Sequence, residues 1–108
     1  LKVQPLGGIA RAHQLAEHHK LPVVVSSALE SAVGINYGLQ LAASFADLNF
    51  DCGLGTGALL SDNVAELPIV NGEIEIKNFE PDFGALEVAP DRFEWWKNHV
   101  MKTWEQIS

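Results

Sequence analysis

The chain has 108 residues, 47% of them apolar, which suits one small domain with a hydrophobic core and calls for no second. Seven basic against 14 acidic side chains give a formal charge of −7, so phosphate backbones and anionic lipid would meet no basic patch; neither nucleic acid nor a membrane is expected as a partner. Cys52 has no second cysteine to pair with, no run of about 18 apolar residues occurs, and no secretion leader opens the chain, which together point to a cytoplasmic setting.

Residues 1–4 read as a strand and Pro5 to Gly8 as a break. Residues 9–20 (IARAHQLAEHHK) place Ile9, Ala12, Ala16 and His19 on one face at helical spacing. LPVVVSS, 21–27, holds three successive valines, an unalternating β-branched run that suits a strand covered on both faces. Ser27 and Glu30 stand at capping-box spacing, and SAVGINYGLQLAASF continues as a helix that is apolar nearly all round. DLNFDCG reads as a third short strand, and GLGTGALLSDNVAEL as a Gly-rich turn with room for a short helix.

That alternation of strand and helix predicts an α/β fold with parallel strands joined by right-handed crossovers. The remainder breaks the rhythm. PIVNGEIEI carries Asn71-Gly72, a favoured hairpin turn, and FEPDFGALEVAP (79–90) reads as an irregular linker. From Asp91, Phe93, Trp96, Val100, Trp104 and Ile107 form one stripe of an amphipathic helix, with Asp91 and Glu94 at capping-box spacing. Aromatic residues so spaced mark a packing face, and Trp96 and Trp104 are expected in a core. Three parallel strands leave bare outer edges, so the sheet needs strands from a partner, a second copy or further chain. The opening at Leu1 within a strand favours further chain, and the sequence is read as a carboxy-terminal piece.

Several residues carry possible chemistry. Lys2, at the end of the first strand, either points into a barrel mouth, where desolvation would suit it to proton transfer, or points from an edge strand to water. Ser26 and Ser27 end a buried strand before a helix and either hold a carboxylate or simply cap. Gly53-x-Gly55-x-x-Ala58, with Glu73 and Glu75 about 20 residues on, loosely matches a dinucleotide fingerprint. An Asn-Gly hairpin stands where that motif needs a long helix and a parallel strand, so glycines closing over an anionic ligand explain the loop equally well. His13, His18, His19 and His99 lack a two-His metal spacing, and Cys52 has no evident base beside it.

The stretches KVQPLGG, LPVVVSSALESAVG and DCGLGTGALL, in this order and spacing, resemble the carboxy-terminal part of the o-succinylbenzoate synthase family of the enolase superfamily, particularly its actinobacterial type. The resemblance covers nearly the whole chain and is most specific over residues 1–60. It implies that residues 1–65 are the last three βα units of a (β/α)8 barrel, strands six to eight. Residues 66–108 would be an extension of hairpin, linker and helix returning toward a capping domain.

The resemblance further implies a lyase of menaquinone biosynthesis that dehydrates a small carboxylate substrate. Lys2 matches the second of two catalytic lysines, facing the reacting carbon. Ser26 and Ser27 match a segment near the substrate's succinyl carboxylate, and Gly53, Gly55 and Thr56 match the loop after the eighth strand. A Lys-x-Lys motif and three acidic ligands for Mg2+ belong to the same pattern but have no counterpart in these 108 residues. The rest of the barrel and the capping domain are therefore the expected partners, and the chain alone is expected to be inactive. An N-succinylamino acid racemase or a muconate-type cycloisomerase of the same superfamily stays open, as does a small nucleotide-binding module using residues 53–58.

Overall fold

Pro5 has no N–H to donate, and in the first turn of a helix that loss costs nothing because the N–H there has no intrahelical partner. The computed structural model describes residues 1–84 and 86–108 and forms a short helix, α1 (Val3–Leu6), where the sequence suggests a strand. Only Leu1 and Lys2 are left to the extended segment, with Lys2 at φ −124° and ψ 124°. The glycine pair ends the turn: Gly7, at φ 87°, donates its N–H to the Gln4 carbonyl at 3.1 Å, and Gly8, at φ 118°, donates to Val3 at 3.0 Å. Both conformations disfavour a side chain.

Helix α2 (Ile9–His19) ends one residue short of the span its periodicity predicts, where Lys20 turns left-handed at φ 51° and its N–H reaches the Ala16 carbonyl at 2.9 Å. Helix α3 (Ala32–Ala43) starts later than the capping-box spacing suggests. Ser27 and Glu30 do not form that box, because Leu29 between them lies at φ 61° and carries the chain off a helical path. Ser31 occupies the cap position without a side-chain bond, and Asn63 supplies the acceptor instead, taking the Ala32 N–H at 2.8 Å.

Between these helices the extended segments lie side by side. Leu1 donates to the Val24 carbonyl and accepts the Ser26 N–H at 2.9 Å; Gly53 donates to Val25 at 2.8 Å and accepts the Ser27 N–H at 2.9 Å. Each residue thus bonds to the residues before and after its opposite number, the pattern of a parallel ladder. Ser26 and Gly53 form a parallel bridge, and the segments run in the predicted common direction, with residues 24–27 in the middle. They are too briefly paired to make full strands: Leu21 is 68% exposed and Val24 41%.

The regular sheet is a hairpin, β1 (Ile69–Val70) with β2 (Glu73–Ile74), antiparallel, with Ile69 opposite Ile74. Asn71 at φ 52° and Gly72 at φ 79° give the two positive angles that a tight hairpin turn needs, as the sequence predicts. The Gly-rich turn leads into a single 3-10 turn, Thr56–Leu59, and among the described residues the linker over 79–89 has no helix or strand. The fold is therefore a mixed helix and sheet arrangement.

Val3, Ala12, Val25, Ile35, Leu39, Leu41 and Leu54 form the core, where α1, α2 and α3 meet the middle extended segment. Gly38 makes this packing possible: a Cβ there would stand 2.6 Å from Leu54 Cδ2. Helix α4 (Pro90–Ile107) is amphipathic as predicted, but it buries nothing. Trp96 and Trp104, expected in a core, are 50% and 66% exposed, because among the described residues no surface covers their stripe. Asp91 and Glu94 do not form the expected capping box; Ala89 is the cap residue, without a side-chain bond, and Glu94 pairs with Lys97 at 3.5 Å. The radius of gyration, 15.7 Å, exceeds the value of about 13 Å typical of a compact chain this long. No helix is long and apolar enough to cross a membrane.

Candidate functional site

Parallel segments bring their carboxyl ends to one side, and three of the residues singled out in the sequence lie at such ends: Lys2, Ser27 and Gly53. The half-buried Lys2 turns inward, and its Nζ donates to the Ser27 carbonyl oxygen. Ser27 is buried at 7% exposure, and its hydroxyl has two partners, the Gly53 carbonyl at 3.2 Å and Thr56 Oγ1 at 2.6 Å. A carbonyl can only accept, so the Ser27 hydroxyl donates to Gly53 and takes the Thr56 proton.

Ser26 is half-buried and bridges to Gly53, whose lack of a Cβ matters here: one built there would come within 3.3 Å of Ser26 Cβ. Gly55 is set apart. A Cβ there would meet Ile69 Cδ1 at 3.2 Å, and the residue faces a cavity of about 550 Å³ walled by Ile35, Leu54, Leu67 and Ile74. Lys2, Ser26, Ser27 and Thr56 do not line that cavity. The structure thus gathers Lys2, Ser26, Ser27, Gly53 and Thr56 and leaves Gly55 on the neighbouring wall.

Two further contributors stand beside these residues: Glu30, which the sequence offers as the capping-box partner of Ser27, and Asn63, which it does not announce. Glu30 Oε1 accepts the Ala28 N–H at 3.0 Å, on the same peptide unit whose carbonyl holds Lys2. Asn63 Oδ1 accepts both the Ala32 and the Val64 N–H at 2.8 Å, tying the loop after the 3-10 turn to the start of α3. Asn is a common capping residue, but no local spacing announces a cap delivered across 31 positions.

The residues present do not fit a magnesium ion: among the described residues, no three His, Cys, Asp or Glu side chains gather as ligands. The dinucleotide fingerprint fares no better, since its glycines lead into four residues of 3-10 turn rather than a helix that could receive a pyrophosphate. His13 stacks on Phe45 at 4.8 Å and pairs with Glu17 at 3.3 Å, while His18, His19 and Cys52 are exposed.

Lys2 is thus drawn onto the shared end of the parallel segments. No protein-family model matches the chain. It is 46% identical over 104 residues to the o-succinylbenzoate synthase of Mycobacterium ulcerans, and 46% and 45% identical to those of Mycobacterium tuberculosis and Mycolicibacterium smegmatis. Each alignment takes in 93% of this chain but 32% of the relative, so the chain spans about a third of the length of the curated relatives it matches. The resemblance carried by residues 2–8, 21–34 and 51–60 therefore extends over nearly the whole sequence, which is similar to about a third of each of these o-succinylbenzoate synthases.

Proposed function

We propose that this chain forms part of an o-succinylbenzoate synthase, a carbon–oxygen lyase of menaquinone biosynthesis in the cytoplasm. Residues 1–65 would supply strands six to eight of an enolase-superfamily (β/α)8 barrel, and residues 66–108 an extension toward the capping domain. The reaction is the dehydration of 2-succinyl-6-hydroxy-2,4-cyclohexadiene-1-carboxylate to 2-succinylbenzoate. The proton alpha to the carboxylate passes to a lysine beyond these 108 residues. The ring carbon–oxygen bond breaks with its electron pair on oxygen, and the hydroxide leaves as water on taking up a proton.

In this reading Lys2 lies across the substrate as a fixed cation, and a charge held in place before the reaction stabilises the negative charge that develops as the proton leaves. Ser26 and Ser27 border the succinyl carboxylate, and Gly53, Gly55 and Thr56 form the rim. The magnesium ion belongs to residues outside this chain, whose own contribution is the charge of Lys2 and the wall around it. The observation that carries the reading is the inward turn of Lys2 onto Ser27, in a chain 45–46% identical to three synthases.

The test is a chimera in which residues 1–108 replace the aligned third of the Mycolicibacterium smegmatis synthase. It should dehydrate the hydroxycyclohexadiene substrate, and Lys2→Ala within it should lower kcat by about 100-fold or more. The 108-residue chain alone should give no product. A folded chimera that racemises N-succinylamino acids without dehydrating, or that is indifferent to Lys2→Ala, would overturn the assignment.

A further inference from the structure

The Lys2 ammonium rests on a backbone carbonyl, and a carbonyl is only as well placed as its peptide unit. The unit joining Ser27 to Ala28 is held from several directions. Its oxygen accepts Lys2 Nζ and its N–H donates to Glu30 Oε1 at 3.0 Å. The Ser27 residue is anchored by its own N–H on Gly53 and by its hydroxyl between Gly53 and Thr56. A peptide unit carries a dipole of about 3.5 D with its positive end at the N–H. Here the positive end meets a carboxylate and the negative end an ammonium, so the two charges reinforce each other through the bond between them.

We propose that Glu30 and Thr56 are positioning residues for Lys2, acting through the Ser27–Ala28 peptide unit. Glu30 polarises and orients that unit from its N–H side, and Thr56 fixes the Ser27 side chain so that the carbonyl cannot swing away. The backbone between them supports this assignment. Leu29 is at φ 61°, a conformation a branched side chain resists, and its turn brings the Glu30 carboxylate back onto the Ala28 N–H. The bonding commits the Thr56 hydroxyl proton to Ser27. The catalytic meaning of this arrangement rests on the role proposed for Lys2, but the arrangement itself can be measured without turnover.

The experiment is competitive acetylation of the 108-residue chain with limiting acetic anhydride at fixed pH, with the yield at each lysine read by mass spectrometry. A side-chain nitrogen held on a backbone carbonyl is shielded from acylation until that hydrogen bond opens. Glu30→Gln, which keeps shape and loses charge, and Thr56→Val, which keeps shape and loses the hydroxyl, should each raise acetylation of Lys2. The expected rise is about three- to tenfold, the range that corresponds to one ordinary hydrogen bond. Lys20 and Lys77 should be unchanged, and Thr56→Ser should restore the parent value. An unchanged Lys2, or an equal rise at Lys20 and Lys77, would overturn the proposal. The synthase assignment is judged separately by the chimera, so either can fail while the other stands.

Discussion

Asn63 caps a helix to which it does not belong: its Oδ1 takes the N–H of Ala32, 31 positions earlier, at 2.8 Å. The same oxygen takes the Val64 N–H, so two backbone donors depend on one side chain. Asn63→Ala should therefore destabilise the chain by about 1–2 kcal/mol in urea denaturation, and Asn63→Asp, which keeps the acceptor, should cost much less. Equal losses from the two substitutions would show that the cap is not what Asn63 provides.

The second prediction concerns Gly38. Alanine ordinarily favours a helix interior over glycine by about 1 kcal/mol, but here the added methyl would come 2.6 Å from Leu54 Cδ2. Leu54 is buried in the core and cannot move aside freely, so overpacking of about 1–3 kcal/mol should outweigh the propensity gain. Gly38→Ala should lower the denaturation midpoint, and adding Leu54→Val should recover part of the loss. A stabilised single variant would show that Leu54 has room to repack.

The third concerns the hydroxyls of buried Ser27 and half-buried Thr56. Ser27 and Thr56 lie 2.6 Å apart, with Ser27 also on Gly53. Ser27→Ala and Thr56→Val should each cost about 1 kcal/mol, and the double variant less than the sum, with a coupling of about 0.5–1.5 kcal/mol. Strict additivity in the cycle would mean that the two hydroxyls do not share a bond in solution.

The fourth concerns α4. All three tryptophans of the chain lie on this helix, each about half exposed or more. Acrylamide should therefore quench the whole of the tryptophan fluorescence in dilute solution. Ending the chain at Ala89 should leave the unfolding free energy of the remainder within about 0.5 kcal/mol, as for surface changes away from any packed feature. A protected tryptophan fraction, or a large loss on truncation, would show that the stripe is covered.

What was legible in the sequence was what local chemistry decides. The face of Ile9, Ala12 and Ala16 defines α2 to within one residue, and Asn71-Gly72 locates the hairpin because few other pairs accept two positive φ angles. The common direction of the extended segments followed from the alternation of valine run and helix. Their length did not follow, since a strand persists only where a neighbour takes up its backbone groups. Val24 and Leu21 have too little beside them, and Val3 to Leu6 coil instead. Ser27 shows the limit most clearly: its spacing to Glu30 matches a capping box, yet a tertiary partner, Thr56, takes its hydroxyl. The spacing of Trp96 and Trp104 reports a face, and spacing says nothing of what that face meets; both lie exposed.

Leu29 has a bearing on directed evolution. A branched residue held left-handed costs about 1–2 kcal/mol, and asparagine or glycine would relieve part of it. A laboratory selection for heat resistance should therefore find position 29 early. Glycine there would also give the turn a freedom it now lacks, and the gain in hardiness would be set against a looser grip of Glu30 on its neighbour's amide.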